Sequence, residues 1–267
     1  MARSGSRKYH DRVARQYDAI YDDPYWQFHD EVSWRLIRPH LPRDLSIPCL
    51  DVGCGTGKWG LKLLKSGFSV TFVDHSGGMI AQVREKLAEM GARAAKAELL
   101  VADMVSMPEL PDGHFGLTVA MGDPLSICSD PQQAANELFR ITRPGGIVIA
   151  TADNKLAALD HYVDRGNLDA LESFVHTSRT HWLTADPAEQ FELTTFTPAG
   201  LRRLFERSGF EVVDLTGKTV LPVRQNKHLF THPNALKRLV KLEEALAKDP
   251  ASAGRCAHLQ IVARKPS

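Results

Sequence analysis

The chain has 267 residues, is 43% hydrophobic and 24% charged, and sets 33 Lys+Arg against 32 Asp+Glu for a formal net charge of +1. These values describe one soluble globular domain, or two small ones, with enough chain to bury a core. They exclude a protein devoted to gripping nucleic acid or an anionic membrane, which needs a basic surface beyond a local patch, and no apolar run nears the roughly 20 residues of a membrane span.

The basic N-terminal stretch Met1 to Lys8 has no apolar run behind it, so it does not read as a secretory signal. Residues 1–46 nonetheless carry Tyr17, Ile20, Tyr21, Trp26 and Trp34, too much apolar surface for a loose tail, and are expected to form a helical lid segment. From Ile47 onward, strand-like runs alternate with helix-like segments, the pattern of a largely parallel sheet covered by helices on both faces. The first strand is expected over Ile47 to Val52, followed by a helix from about Gly57 to Ser66 that Gly67 stops. The second strand covers Ser69 to Asp74. Ser76 caps the next helix, whose Met79, Ile80, Val83 and Leu87 share one face. Strands three and four are read at Glu98 to Ala102 and Phe115 to Met121. Asp130-Pro131 opens a helix with Ala134, Leu138 and Ile141 as its buried stripe, and Arg143-Pro-Gly-Gly146 turns the chain into strand five, Ile147 to Ala152.

Residues 154 to 195 interrupt the alternation with a helix-like stretch and a polar, aromatic run containing His176, His181 and Trp182, and are expected to form a cap insertion. A helix from Thr197-Pro198 to Ser208-Gly209, strand six at Phe210 to Leu215, a charged helix from about Ala235 to Lys248 and strand seven at His258 to Ala263 complete the domain over 47–267. The four cysteines, Cys49, Cys54, Cys128 and Cys256, are too few for a disulfide framework and fit a reducing, cytoplasmic setting.

The most informative segment is Asp51-Val-Gly53-Cys54-Gly55-Thr-Gly57, a strand ending in alternating glycines that open a helix. Glycine permits a sharp turn and close backbone approach to a ligand, and the helix start offers free N–H groups. A phosphate-cradling P-loop needs four residues between its glycine and Gly-Lys, whereas Gly53 and Gly57-Lys58 enclose three. The dinucleotide spacing occurs as Gly55-Thr-Gly57-Lys-Trp-Gly60, but the strand-end position belongs to Gly53, whose register fails at Lys58.

The segment resembles motif I of the class I S-adenosylmethionine-dependent methyltransferases. Val73-Asp74, Ala102-Asp103-Met104, Asp112-Gly-His-Phe115 and Arg143-Pro-Gly-Gly146 follow in the order of that family, and the resemblance spans about Ile47 to Gly217. It implies a Rossmann-like, seven-stranded, mostly parallel sheet with helices on both faces, and S-adenosylmethionine as methyl donor. It also implies roles. Asp51 orders the loop and meets the methionine amino group, Asp74 accepts from both ribose hydroxyls, Asp103 accepts from the adenine amino group, and the Met104 N–H meets the ring. Tyr17, Gly53, Cys54, Gly55, Gly57, His75, Met79, Ala102 and Met121 complete the implied donor-binding set, Cys54 by packing and Tyr17 from a Tyr-Asp-Ala-Ile-Tyr21 segment like the family's lid.

Acceptor-side candidates are Tyr21, Asp123 and His181: an aromatic that aligns, a carboxylate after strand four and a base in the cap. Met121-Gly-Asp123-Pro-Leu-Ser126 departs from the Asn/Asp-Pro-Pro-aromatic motif of nucleobase methyltransferases, which favours a small-molecule acceptor, with looser likeness to the glycine and sarcosine N-methyltransferase branch. Paired metal-ligand spacings are absent, so no metal is expected. The competing readings are an inactive donor-binding partner subunit and, more distantly, a nicotinamide oxidoreductase.

Overall fold

The computed structural model describes residues 4–267; the first three residues of the basic N-terminal stretch lie outside the described residues. Three helices come first, α1 (Gly5–Val13), α2 (Tyr17–Ile20) and α3 (Pro24–Ile37). The sheet domain follows with β1 (Cys49–Val52), α4 (Lys58–Lys65), β2 (Val70–Asp74), α5 (Gly77–Ala88), β3 (Ala97–Val101), β4 (Phe115–Ala120), α6 (Pro124–Ile127), α7 (Pro131–Ile141) and β5 (Thr142–Asp153). The insertion holds α8 (Lys155–Asp164), α9 (Leu168–Thr177), β6 (Arg179–Trp182) and β7 (Phe191–Thr194), and the chain closes with α10 (Pro198–Arg207), β8 (Glu211–Lys218), α11 (Ala235–Leu246) and β9 (His258–Arg264).

Seven strands form one sheet in the order β3-β2-β1-β4-β5-β9-β8. Pairings from β3 through to β5 are parallel, while β9 runs antiparallel to both β5 and β8. β1, β2 and β4 are buried along their whole length, as strands covered on both faces must be. Alternate residues feed opposite layers: Leu50 and Val52 pack with Leu138, Ile141, Leu201 and Phe205, whereas Cys49 packs with Leu63, Phe72 and Val83. Strand order reverses at β1, so its C-terminal end and that of β4 diverge and open the crevice where such sheets take ligands.

The caps follow local chemistry. Ser76 Oγ accepts from Met79 N at 3.1 Å, Asp130 Oδ1 from Gln132 N and Gln133 N at 3.0 Å, and Thr197 Oγ1 from Gly200 N at 3.0 Å. One segment differs from the sequence expectation. Arg143-Pro-Gly-Gly146 is no turn before β5 but lies within it as a wide bulge, since Phe115 pairs with Thr142 and Leu117 with Ile147. Gly145 supplies the positive φ of 73° and donates its N–H to Lys265 O at 2.9 Å, which keeps the bulged backbone satisfied.

The N-terminal helices fold onto the sheet domain. Tyr25, Phe28 and Val32 of α3 pack with Val223, Leu239 and Val240, while Val13 and Ala14 pack on Met79 of α5. The cap forms two helices and the β6-β7 hairpin, where the sequence suggested one helix-like stretch.

Candidate active site

At the end of β1 the chain turns through Gly53, Gly55 and Gly57, whose φ angles are 63°, 53° and 87°. These left-handed conformations strain any residue with a Cβ. Gly57 N-caps α4 in the left-handed region. Asp51 is fully buried; its Oδ2 accepts from Gly60 N at 2.7 Å, and its Oδ1 is buried without a hydrogen-bond partner. Desolvation pushes this carboxyl up to about 7, with a small further push from Asp74. Asp74 closes β2 and spans the loop: Oδ2 accepts from Gly55 N at 2.9 Å and Oδ1 from Ser76 N at 2.8 Å. Each oxygen keeps a second lone pair.

Asp103 follows β3, exposed, with Oδ1 accepting from Val105 N at 3.2 Å. Ala102 N is already held by Asp74 O at 3.1 Å, which joins the two strand ends. The side chains of Met79, Met104, Met121 and Cys54 are buried in the core layers. Burial lifts the Cys54 thiol well above its ordinary range, the opposite of an activated nucleophile. His75 is half-buried, its ring centroid 5.7 Å from that of His10.

The N-terminal segment latches over this loop. Tyr17 packs at a tilt on Tyr21, with ring centroids 4.8 Å apart, and the Tyr21 ring meets Trp26 edge-on at 4.7 Å. Burial raises the phenol of Tyr17 well above its ordinary value and that of Tyr21 less so. Asp18 receives Thr56 Oγ1 at 2.5 Å and Lys86 Nζ at 2.6 Å, and Asp11 Oδ1 receives Ser76 Oγ at 2.6 Å and Gly78 N at 3.0 Å. Four contacts thus bind the lid to the glycine loop and to both ends of α5.

The acceptor-side candidates separate. Asp123 sits in the left-handed region (φ 64°) at the end of the β4 loop, and its N–H donates to Thr151 Oγ1 at 3.0 Å. A Cβ on Gly53 would lie 2.6 Å from Pro124 Cβ, so the Asp123-Pro124 turn rests directly on the glycine loop. His181 does not join it: the residue is exposed in the β6-β7 hairpin, opposite Glu192 and one residue before Trp182, which itself packs on Tyr9.

In its place the fold brings His258. Because β9 is antiparallel, its first residue lies beside the last residues of its neighbours, and His258 is in register with Asp153 of β5 and Lys218 of β8. His258 Nδ1 stands 2.8 Å from Asp123 Oδ2 and 3.7 Å from Asp153 Oδ1. Burial pushes Asp123 up, but His258 beside it, reinforced by Lys218, holds it below the usual carboxylate range. Asp153 is pushed up to about 7 by desolvation and then by Asp123. Behind them the fully buried Lys218 donates to His29 Nε2 at 3.0 Å and Ser33 Oγ at 3.1 Å on α3. Burial, then the Lys218 charge, hold His29 down at about 3, so it accepts as a neutral ring. Asp153, Lys218 and His258 escaped the sequence reading; the signal available was a charged or polar residue at the last position of β5 and of β8 and at the first of β9.

Comparison with known proteins bears on this geometry. Residues 49–146 match the family described as a methyltransferase domain. The phosphatidylethanolamine N-methyltransferase of Cereibacter sphaeroides is 33% identical over 205 residues, which cover 72% of this chain and 94% of that protein. The tRNA 5-carboxymethoxyuridine methyltransferase of Escherichia coli (strain K12) is 22% identical over 264 residues, 96% of this chain and 95% of that one. The solved structure of the CcbJ methyltransferase from Streptomyces caelestis has a TM-score of 0.64 at 16% identity and covers 99% of this chain and 100% of its own. The chain belongs to the S-adenosylmethionine-dependent methyltransferase family, and S-adenosylmethionine is its methyl donor.

The residues present suit that donor. Asp51 Oδ1 is a buried, orphaned acceptor beside the loop, matched to a cationic amino group, and the glycine loop bares backbone for close approach. Asp74 retains acceptor capacity for a diol, and Asp103 is exposed at the next strand end.

Proposed function

We propose that this methyltransferase acts on a small-molecule acceptor, at a nitrogen, oxygen or sulfur atom, by direct displacement. One observation carries the reading: the Asp123-Pro124 turn packs on Gly53, which sets a buried, ionised carboxylate against the donor loop. When bound, the donor supplies an electrophilic methyl group on a sulfonium. The chain's tasks are then to align a lone pair, exclude water and take a proton.

In this reading Asp51, Gly53, Gly55, Gly57, Asp74 and Asp103 hold the donor, with Tyr17 as the roof and the backbones at His75, Ala102, Met104 and Met121 completing the wall. Tyr21, packed between Tyr17 and Trp26, orients the acceptor. Asp123, braced by His258, accepts the acceptor's hydrogen and removes the proton as transfer proceeds. The exposed position of His181 leaves it no part in this. The lid and the cap, joined by Arg12 on Glu189 and by Tyr9 on Trp182, cover the site from one side and favour a compact acceptor over a polymer. No helix among the described residues is long and apolar enough to cross a membrane, and the four cysteines are free thiols, which supports a cytoplasmic setting.

The test is label transfer. Donor carrying an isotopic methyl group, incubated with enzyme and a fractionated cell extract, should label the low-molecular-weight fraction, and Asp123→Asn should not support it. Label confined to RNA, lipid or protein would overturn the small-molecule reading while leaving the methyltransferase class intact.

A further inference from the structure

Among the described residues, one group brings three metal-ligating side chains together: Asp123, Asp153 and His258, each offering an atom within 4.8 Å of the others. The cluster arises from the loop after β4 and from the facing ends of β5 and β9, and is held by the register of β5 on β9 and by Thr151, which fixes the Asp123 backbone. Its internal geometry is not that of a satisfied ion pair. His258 Nδ1 and Asp123 Oδ2 are 2.8 Å apart, yet the ring N–H is off the line that a hydrogen bond requires, and Nδ1 is buried without a hydrogen-bond partner. Asp123 is only 8% exposed, and its Oδ1 is likewise buried and unpartnered. Two ligands about 2.0–2.2 Å from a shared ion lie roughly 3 Å apart when they subtend a right angle. A nitrogen and a carboxylate oxygen at that spacing, not aligned to bond each other, match an edge of a coordination shell.

We propose that Asp123, Asp153 and His258 bind a first-row divalent cation. One imidazole and two carboxylates form a mixed nitrogen and oxygen set that suits zinc, manganese or iron in the divalent state. Three protein ligands leave positions open, as catalytic ions require. The nearby Lys218 ammonium is engaged by His29 Nε2 and Ser33 Oγ on the lid helix, which directs its hydrogen bonds to neutral acceptors. Because the Asp123 turn rests on the glycine loop, an ion here would meet the acceptor atom next to the donor and lower the pKa of its proton as a Lewis acid, easing its transfer to the Asp123 carboxylate oxygen that does not ligate the ion. The proposal does not depend on which acceptor is used.

The experiment uses the full chain, freed of metal with a chelator and saturated with S-adenosylhomocysteine, titrated with Co²⁺ and followed by calorimetry and by visible absorption. One equivalent should bind with a ligand-field band. Asp123→Asn and His258→Gln should each weaken binding by more than the ~10–100-fold that loss of a merely supporting partner costs. S-adenosylhomocysteine affinity should stay within a few fold, which shows that the fold and donor pocket survive. Neither heat nor band at millimolar free Co²⁺, or full affinity in both variants, overturns the site. Should a variant fail to fold, Mn²⁺ added to the wild-type chain decides: selective broadening of the His258 ring resonances supports the site, and their persistence at saturating Mn²⁺ refutes it.

Discussion

The Tyr17 ring roofs Gly55: a Cβ placed on Gly55 would meet nothing within 4 Å except Tyr17 Cε1, at 3.9 Å. The residue that frees the loop backbone and the residue that covers it therefore face each other across one van der Waals gap, and this lid is closed. Tyr17→Ala removes an aromatic worth several contacts but no loop hydrogen bond. We predict that S-adenosylhomocysteine dissociates at least several-fold faster in stopped-flow measurements, with the melting temperature little changed. An unaltered off-rate would detach the lid from the donor.

Gly53 and Gly55 share a left-handed backbone yet differ in their surroundings, and the two substitutions should separate. Gly53→Ala drives a methyl group into Pro124 at 2.6 Å as well as straining φ, so it should destabilise the protein by about 1–3 kcal/mol. Gly55→Val meets little besides the Tyr17 ring, so it should abolish donor binding by blocking approach while costing less stability. Thermal denaturation beside calorimetric titration reads both, and equal melting temperatures would contradict the assignment.

Asp74 carries two loop N–H groups in addition to any ribose contact. Asp74→Ala leaves the ribose hydroxyls assigned to it without an acceptor in a closed site, a cost of about 1–3 kcal/mol, or roughly tenfold to over a hundredfold in donor affinity, and also unpairs Gly55 N and Ser76 N in the fold itself. Calorimetry that returned wild-type affinity would remove Asp74 from the pocket.

Donor binding should depend on pH through Asp51. Its folded carboxyl, pushed up to about 7 by burial, is neutral below that value and pairs with the donor's amino group only when ionised. S-adenosylhomocysteine affinity should therefore rise with pH up to about 7 and level off above, and Asp51→Asn should flatten the rise. The sign for the free protein is opposite: the unfolded chain ionises this group near 4, so Asp51 makes stability fall as pH climbs from about 4 to about 7. A donor affinity that is flat between pH 5.5 and 8 in the wild type would exclude the pairing.

On the acceptor side, Tyr21→Ala should lower turnover by about tenfold or more through lost alignment, with donor affinity within a few fold. His181→Ala, exposed on its hairpin, should leave both unchanged. Steady-state kinetics with an identified acceptor checks the pair, and the reverse result would return the base to the cap.

The strand ends that carry the proposed donor residues were legible because their signals are local. Asp51, Asp74 and Asp103 lie at or just beyond the ends of β1, β2 and β3, and alternating glycines after an apolar run leave few conformations open, so sequence spacing alone locates these strand ends. Asp123 was visible for the same reason. His258, Asp153 and Lys218 were not, since they meet only because β9 is inserted backwards between β5 and β8, a long-range pairing that apolar periodicity does not encode. His181 is the opposite case: a histidine among aromatics suggested a site, and hairpin alternation leaves it exposed, away from the side that Trp182 packs. The Arg143-Pro-Gly-Gly146 segment has turn chemistry, and β5 absorbed it as a bulge.

Asp11 and Arg12 are consecutive residues of α1 that serve different masters. Asp11 grips Ser76 and Gly78 at the donor helix, and Arg12 Nε reaches Glu189 in the cap at 2.6 and 2.8 Å. A displacement of α1 wide enough to pass the donor must loosen the cap's anchorage at the same moment. The two substrates are thereby denied independent access, and the enzyme should follow a compulsory kinetic order, with donor on first and spent donor off last.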